Sequence, residues 1–185
     1  MDRKEILRYL RTNSEIADES VLALVDRAAD EVEKNAEIKT LYRIFDCTVS
    51  EDETAIGSVI FKSKSLAKNL NGCKKVVVFG ATLGLKIDRM INTASATDVA
   101  LAMAYQAAAA ALIEEACDSL EQDIIAKHGV KLRERYSPGY YDLDITDQKK
   151  LFSLIEITKR IGITLTDGYQ MMPSKSVTAF IGVDG

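Results

Sequence analysis

The chain has 185 residues, 47% of them hydrophobic, with a formal charge of −4 and a pI near 5.2. That is enough apolar material to bury one domain core, with or without an appendage, and it excludes a disordered or fibrous chain. Acids and bases are interspersed without a basic stripe, so the chain offers no positive field to a phosphate backbone and nucleic acid is not an expected partner.

Cys47, Cys73 and Cys117 are odd in number, far apart and outside any Cys-x-x-Cys pair. Neither a disulfide framework nor a thiolate zinc site is signalled, and a reducing, cytoplasmic setting is expected. The first residues, Met1 to Glu5, are charged and lack the apolar core and small-residue cleavage site of a signal peptide. The longest apolar run, Val99 to Ile113, is interrupted by Tyr105 and Gln106. It falls short of the roughly 20 residues of a membrane span and reads as a buried helix.

In chain order, apolar residues recur at helical spacing from Lys4 to Arg11 and from Glu19 to Lys34, with Asp18 or Ser20 as caps. These form an N-terminal helical arm, residues 1–36, ahead of a main domain, 37–185. Ile38 to Val49 alternates around Tyr42, Ile44 and Phe45 and predicts a strand, as does Gly57 to Phe61. Ser65 to Leu70 predicts a short helix. Lys75 to Phe79 is a Val-rich buried strand closed by the turn Gly80-Ala81-Thr82-Leu83-Gly84. Asp88 to Asn92 is predicted helical, and a long helix then starts near Ser95 or Thr97 and runs to Lys127, capped by Gly129. Its Ala-rich first half lets neighbours approach on all sides, which makes it the spine of the fold. A further helix, capped by Thr146 with Asp147 in its first turn, carries Leu151, Leu154, Ile155 and Ile161 and ends at Gly162. Ile163 to Thr166 and Val177 to Val183 predict strands around an irregular piece, Asp167 to Lys175. Strands and helices do not alternate regularly, so the expected class is α+β: a mainly antiparallel sheet packed with a long buried helix, plus the arm.

The most unusual segment is Arg135-Tyr136-Ser137-Pro138-Gly139-Tyr140-Tyr141. Pro138 fixes its own φ and pushes Ser137 out of the helical region, while Gly139 admits backbone angles or close ligand approach that a Cβ blocks. Arg135 adds a planar cation suited to gripping a carboxylate, and Tyr140 an amphipathic ring. The competing reading is a rigid connection with a solvated arginine. Glu114-Glu115 lie where the spine turns from apolar to charged, so that one can reach a site while the other is solvated. Gly80 to Gly84 lacks the Lys-Ser/Thr of a P-loop and reads as tight strand-to-helix packing. The single histidine, His128, sits at a helix end as a capping group, which leaves no His-rich metal site and no convincing catalytic triad. Met171-Met172-Pro173 reads as core filling.

Taken together, Arg135-x-Ser137-Pro138-Gly139-Tyr140, Leu151-Phe152-x-Leu154-Ile155, Ile161-Gly162-Ile163-x-Leu165-Thr166-Asp167 and Met171-x-Pro173-x-x-Ser176-Val177 resemble, in order and spacing, the activation domain of cobalamin-dependent methionine synthase. A weaker similarity extends back through the spine and the Phe79 to Gly84 turn. The resemblance implies an S-adenosylmethionine-binding domain that presents a methyl group to cobalamin fallen to the inactive Co(II) state, with a flavodoxin-type electron donor. It further implies that Arg135 holds the methionine carboxylate, that backbone around Ser137 and Gly139 contacts the ligand, and that Tyr140 faces the cofactor. Glu114, or Glu115 with the register slipped by one, would hold the ligand's amino group. The chain lacks the Asp-x-His-x-x-Gly signature of the cobalamin-carrying domain, Ala126 standing two places before His128. The implied role is therefore a free-standing subunit acting on a separate methionine synthase polypeptide that brings the corrinoid. A non-catalytic module that docks a corrinoid protein without binding S-adenosylmethionine is the alternative, motivated by departures from the family pattern: Tyr141, Asp142 and Leu143 after the Gly-Tyr, Asp167-Gly168, and Met172 in place of an aromatic.

Overall fold

The computed structural model describes residues 1–184; Gly185, the last residue of the expected main domain, lies outside them. Its centre is a six-stranded antiparallel sheet in the order β3-β2-β1-β4-β8-β5. The strands are β1 (Lys39–Val49), β2 (Glu53–Ile56), β3 (Val59–Lys62), β4 (Lys75–Thr82), β5 (Lys131–Leu132) and β8 (Ser176–Asp184), with a separate small hairpin of β6 (Thr164–Leu165) and β7 (Met171–Met172).

Both faces of the sheet are covered, which explains why β4 is a near-continuous apolar run. Along it Val77, Phe79 and Ala81 point to one core while Val76 and Val78 point to the other, the two-residue alternation of a strand. The first core is closed by α1 (Arg3–Tyr9), α2 (Glu19–Asn35), α4 (Leu85–Thr97) and the spine, α5 (Val99–His128). The second is closed by α3 (Lys64–Asn69), α6 (Gln148–Ile155) and α7 (Ile157–Ile161) around Phe61 and Phe180, whose rings meet edge-on at 4.9 Å. α5 is long and apolar enough to cross a membrane, yet 61% of that stretch is buried among the other elements. Ala104, Ala108 and Ala109, fully buried, are what let those elements come close.

Several expectations are corrected. The spine starts at Val99, not near Ser95 or Thr97, because Asp98 caps it by accepting from Leu101 N at 3.0 Å and Ser95 and Thr97 finish α4 instead. The turn foreseen at Gly80 is strand: Gly80 pairs with both Leu41 and Thr178. It is glycine because a Cβ there would stand 2.2 Å from Ile157 Cδ1, where α7 crosses the sheet. A helix capped by Thr146 and unbroken to Gly162 does not form. Asp144 caps a 3-10 turn over Ile145–Asp147, and Glu156, at φ 50, separates α6 from α7. The second strand of the first half is a hairpin, β2 and β3 turning at Gly57, whose φ of 56 suits a tight two-residue connection. The strand expected over Ile163 to Thr166 shortens to β6 and pairs with part of the segment read as irregular.

Candidate functional site

The site forms where the sheet edge is left open. β5 pairs only Lys131 and Leu132 with Asp184 and Val183; Arg133 N then donates to Gly182 O at 3.0 Å, and Tyr136 and Phe180 exchange main-chain bonds of 2.9 and 2.8 Å. Beyond Tyr136 the chain leaves the edge, because Pro138 has no N–H to continue the ladder. Thr178 and Ser176 lie two and four residues from Phe180, so by strand alternation their main-chain groups face the same uncovered edge. Alongside lies a cleft of about 770 Å³ lined by Glu114, Arg135, Ser137, Pro138, Tyr140, Gln148, the Gly168 to Met171 turn and β8 from Ser176 to Thr178.

The departing segment is held in shape by its own bonds. Gly139 N donates to Leu143 O at 2.8 Å and Tyr140 N to Ser137 O at 3.3 Å. Gly139 has φ 94, which favours glycine, and a Cβ there would also push Ile145 Cδ1, 3.1 Å away, by a few tenths of an ångström. Asp142 fastens the far end to α3: its carboxylate accepts from Ser63 Oγ at 2.7 Å, Lys64 N at 2.8 Å and Ser65 N at 3.1 Å. Those bonds, led by the Ser63 hydroxyl, hold its pKa far below the usual carboxylate range. Tyr140 lines the cleft and stays exposed, and the exposed Tyr141 beside it stacks on Tyr136 at 6.4 Å between ring centres.

Arg135 reaches back to α5, where Glu114, Asp118 and Glu121 share one helical face at spacings of four and three. Its Nη2 lies 2.9 Å from both Glu114 Oε2 and Asp118 Oδ1, and its Nη1 3.2 Å from Glu121 Oε1. The last contact is an ion pair without hydrogen-bond alignment, and both its atoms are buried with no other partner among the described residues. Burial opposes the guanidinium charge, but the attraction of Glu121 and its neighbours outweighs it and the pKa of Arg135 is raised. Burial likewise raises Glu121, with Arg135 pulling the other way.

Arg135, Glu114, Ser137 and Tyr140 therefore line one cleft, and Gly139 shapes the loop beside it without lining it. Glu115 points elsewhere, 3.6 Å from the Met1 ammonium. His128 ends α5 with its Nε2 3.0 Å from Tyr42 Oη. Three contributors were not anticipated. Asp118 and Glu121 were legible as the i+4 and i+7 partners of Glu114. Gln148 carried no local signal: it is 3% exposed, its Oε1 accepts from Thr178 Oγ1 at 2.8 Å, and its Nε2 has no partner among the described residues. Because Gln148 lines the cleft, that NH₂ is a donor open to whatever binds there.

Residues 24–184 match the family described as vitamin B12 dependent methionine synthase, activation domain. The chain belongs to that family. Among solved structures, the MetH reactivation domain bound to AdoHcy superposes with a TM-score of 0.68 at 17% identity, covering 95% of this chain and 68% of that one. At that identity the likeness speaks for the fold, and it agrees with the α+β class, the antiparallel sheet and the long packed helix found here. No curated protein sequence matches the chain.

Proposed function

We propose that this activation domain binds S-adenosylmethionine in the cleft beside β8 and acts as a separate subunit that restores a cobalamin-dependent methionine synthase whose corrinoid has lost its active state. The observation that carries the reading is the pairing of Arg135 and Glu114 in a cleft that Gln148 also lines, its Oε1 taken by Thr178 and its Nε2 left as an open neutral donor. The ligand has the same division: a zwitterionic amino acid and a sulfonium at one end, a neutral nucleoside rich in acceptors at the other. One guanidinium stands against three carboxylates on α5, so the charged end carries excess negative potential that favours the ammonium and sulfonium. Arg135 Nη2, held 2.9 Å from both Glu114 Oε2 and Asp118 Oδ1, is the nitrogen that would take the ligand's carboxylate by exchange with one of them. Support also comes from the related reactivation domain solved with AdoHcy, the thioether left when the donor gives up its methyl group.

Bound there, S-adenosylmethionine supplies an electrophilic methyl group. The chain's part is to bind and orient: Arg135 takes the carboxylate, Glu114 the ammonium, main chain around Ser137 the ligand's flank, and Tyr140 stands at the mouth where a corrinoid on the partner polypeptide would approach. Gly139 and Asp142 keep that loop in place, so catalysis rests on positioning. A flavodoxin-type protein would deliver the electron.

Calorimetry with S-adenosylmethionine on wild type and Arg135→Ala tests the reading. Wild type is expected to bind and the variant to lose most of the affinity; no heat from wild type, alone or with the partner synthase, rejects it. The saturation of Arg135 by the chain's own carboxylates favours a second reading, a module that docks the corrinoid protein without the ligand. Docking that ignores both S-adenosylmethionine and the Arg135 substitution would decide for it.

A further inference from the structure

A second cleft, of about 630 Å³, runs along the first half of α5. One wall is the outward stripe Val99, Met103, Gln106 and Ala110, and another is the end of α1 at Tyr9 and Leu10. Val99 and Met103 stay 66% and 57% exposed, so an apolar strip lies open inside a concave surface. Two cations line it, Lys175 and Arg11, and no carboxylate among the described residues does. Arg11 stands at the rim, turned there by a φ of 57 just past α1.

Lys175 enters from the residue before β8, and its surroundings are fixed. Its carbonyl accepts from Leu83 N at 3.0 Å. The neighbouring Ser174 donates from N and Oγ to the two oxygens of Asp88 at 2.8 and 2.6 Å. Asp88, the acid whose charge reaches Lys175, is thus already engaged on both oxygens. The ammonium itself has the Gln106 carbonyl at 3.4 Å and no ion pair among the described residues. Burial pushes its pKa down. A half-buried cation without a counterion is a standing free-energy cost that a bound anion would relieve.

We propose that this cleft is a binding site for a small amphipathic anion, a carboxylate on a hydrocarbon chain, with the Lys175 ammonium on the head group and the α5 stripe against the chain. The site is separate from the methyl-donor cleft and does not depend on what binds there.

Decanoate, kept below its micelle concentration, is the probe, titrated by calorimetry into the whole chain as wild type, Lys175→Met and Lys175→Arg, with decanol as the neutral comparison. Wild type should bind decanoate saturably. Lys175→Met should weaken it about tenfold, the size of one charge-assisted hydrogen bond, while Lys175→Arg retains it. Decanol should bind wild type about tenfold more weakly than decanoate for the same reason. Met103→Glu, at an exposed position, sets a carboxylate in the cleft and should weaken decanoate with the thermal midpoint unchanged. Arg135→Ala should leave decanoate binding intact. No saturable binding by wild type, equal affinity in Lys175→Met, equal affinity for decanol, or loss in Arg135→Ala would each overturn the assignment.

Discussion

Replacing Arg135 with methionine keeps an apolar stem of similar length and removes the one cation paired with Glu114, Asp118 and Glu121. The three pairs are not equal. Glu114 and Asp118 are 45% and 67% exposed, so water replaces the arginine and each pair is worth about 0–1 kcal/mol. Glu121 is 20% exposed and Arg135 25%. Unpairing that carboxylate costs a share of the roughly 3–5 kcal/mol found for fully buried pairs, and about 2 kcal/mol is expected for the whole substitution near neutral pH. Urea unfolding measures it.

The pH dependence supplies the sign. Burial holds the folded pKa of Glu121 above its ordinary 4.5, so the folded state binds the proton more tightly and ionisation of this group costs stability. The cost is complete above the folded pKa and absent below 4.5. Without Arg135, which pulls the pKa down, the folded pKa rises further, and the variant should recover part of its loss as pH falls toward 4.5. Adding Glu121→Gln to Arg135→Met should restore about 1 kcal/mol near neutral pH by removing the stranded charge, and should not restore S-adenosylmethionine binding. A variant within about 0.5 kcal/mol of wild type, or a loss independent of pH, would refute the reasoning about burial. Recovery of ligand binding in the double variant would show that Arg135 serves only the fold.

Gln148→Met keeps the volume and removes the free donor, so the affinity for S-adenosylmethionine should fall about tenfold, with a loss of about 1–3 kcal/mol in stability because the buried Thr178 hydroxyl loses its acceptor; unchanged affinity would remove Gln148 from the site. Asp142→Asn bears on the anchor of the loop: the depressed pKa of Asp142 gives stability that is present above its ordinary 3.8 and lost as pH falls through the folded value, so the variant's stability profile should be flatter on the acid side. The thiols offer a control of fold integrity. Burial pushes Cys47 up to about 11 and Cys117 up to about 12, and Cys73 is buried and raised as well, so a disulfide reagent at neutral pH should release nothing from the native protein and all three equivalents in denaturant.

What could be read from the residues alone follows the range of the forces involved. α2 was legible because its apolar spacing and its cap at Asp18 are local, and α5 because its long apolar run ends at Gly129, a left-handed cap at φ 64, although its first cap, Asp98, was missed. The Val-rich β4 was legible because burial on both faces leaves no polar position to confuse it. Boundaries failed where a neighbour in space overrides the local signal. Gly80 looks like punctuation until α7 is laid across it, and nothing near residue 156 announces that the predicted helix breaks there at φ 50.

The site divides in the same way. Ser137, Pro138, Gly139 and Tyr140 could be nominated because a proline and a glycine restrict the backbone wherever they occur. Gln148 could not, since its meaning comes from Thr178, 30 positions on, taking its carbonyl oxygen and so aiming its amide. Arg135 lies between these cases. Its cation is evident from the sequence, but the sequence does not show that three carboxylates from one face of α5 converge on it. That convergence sets a condition on function. A ligand carboxylate at Arg135 must displace or share with Glu114 and Asp118, and the ligand's ammonium is what makes the exchange favourable, because the carboxylate released from the arginine finds a new cation at once. A ligand carrying the carboxylate without the ammonium should therefore bind poorly, and comparing S-adenosylmethionine with its deaminated analogue would expose the coupling.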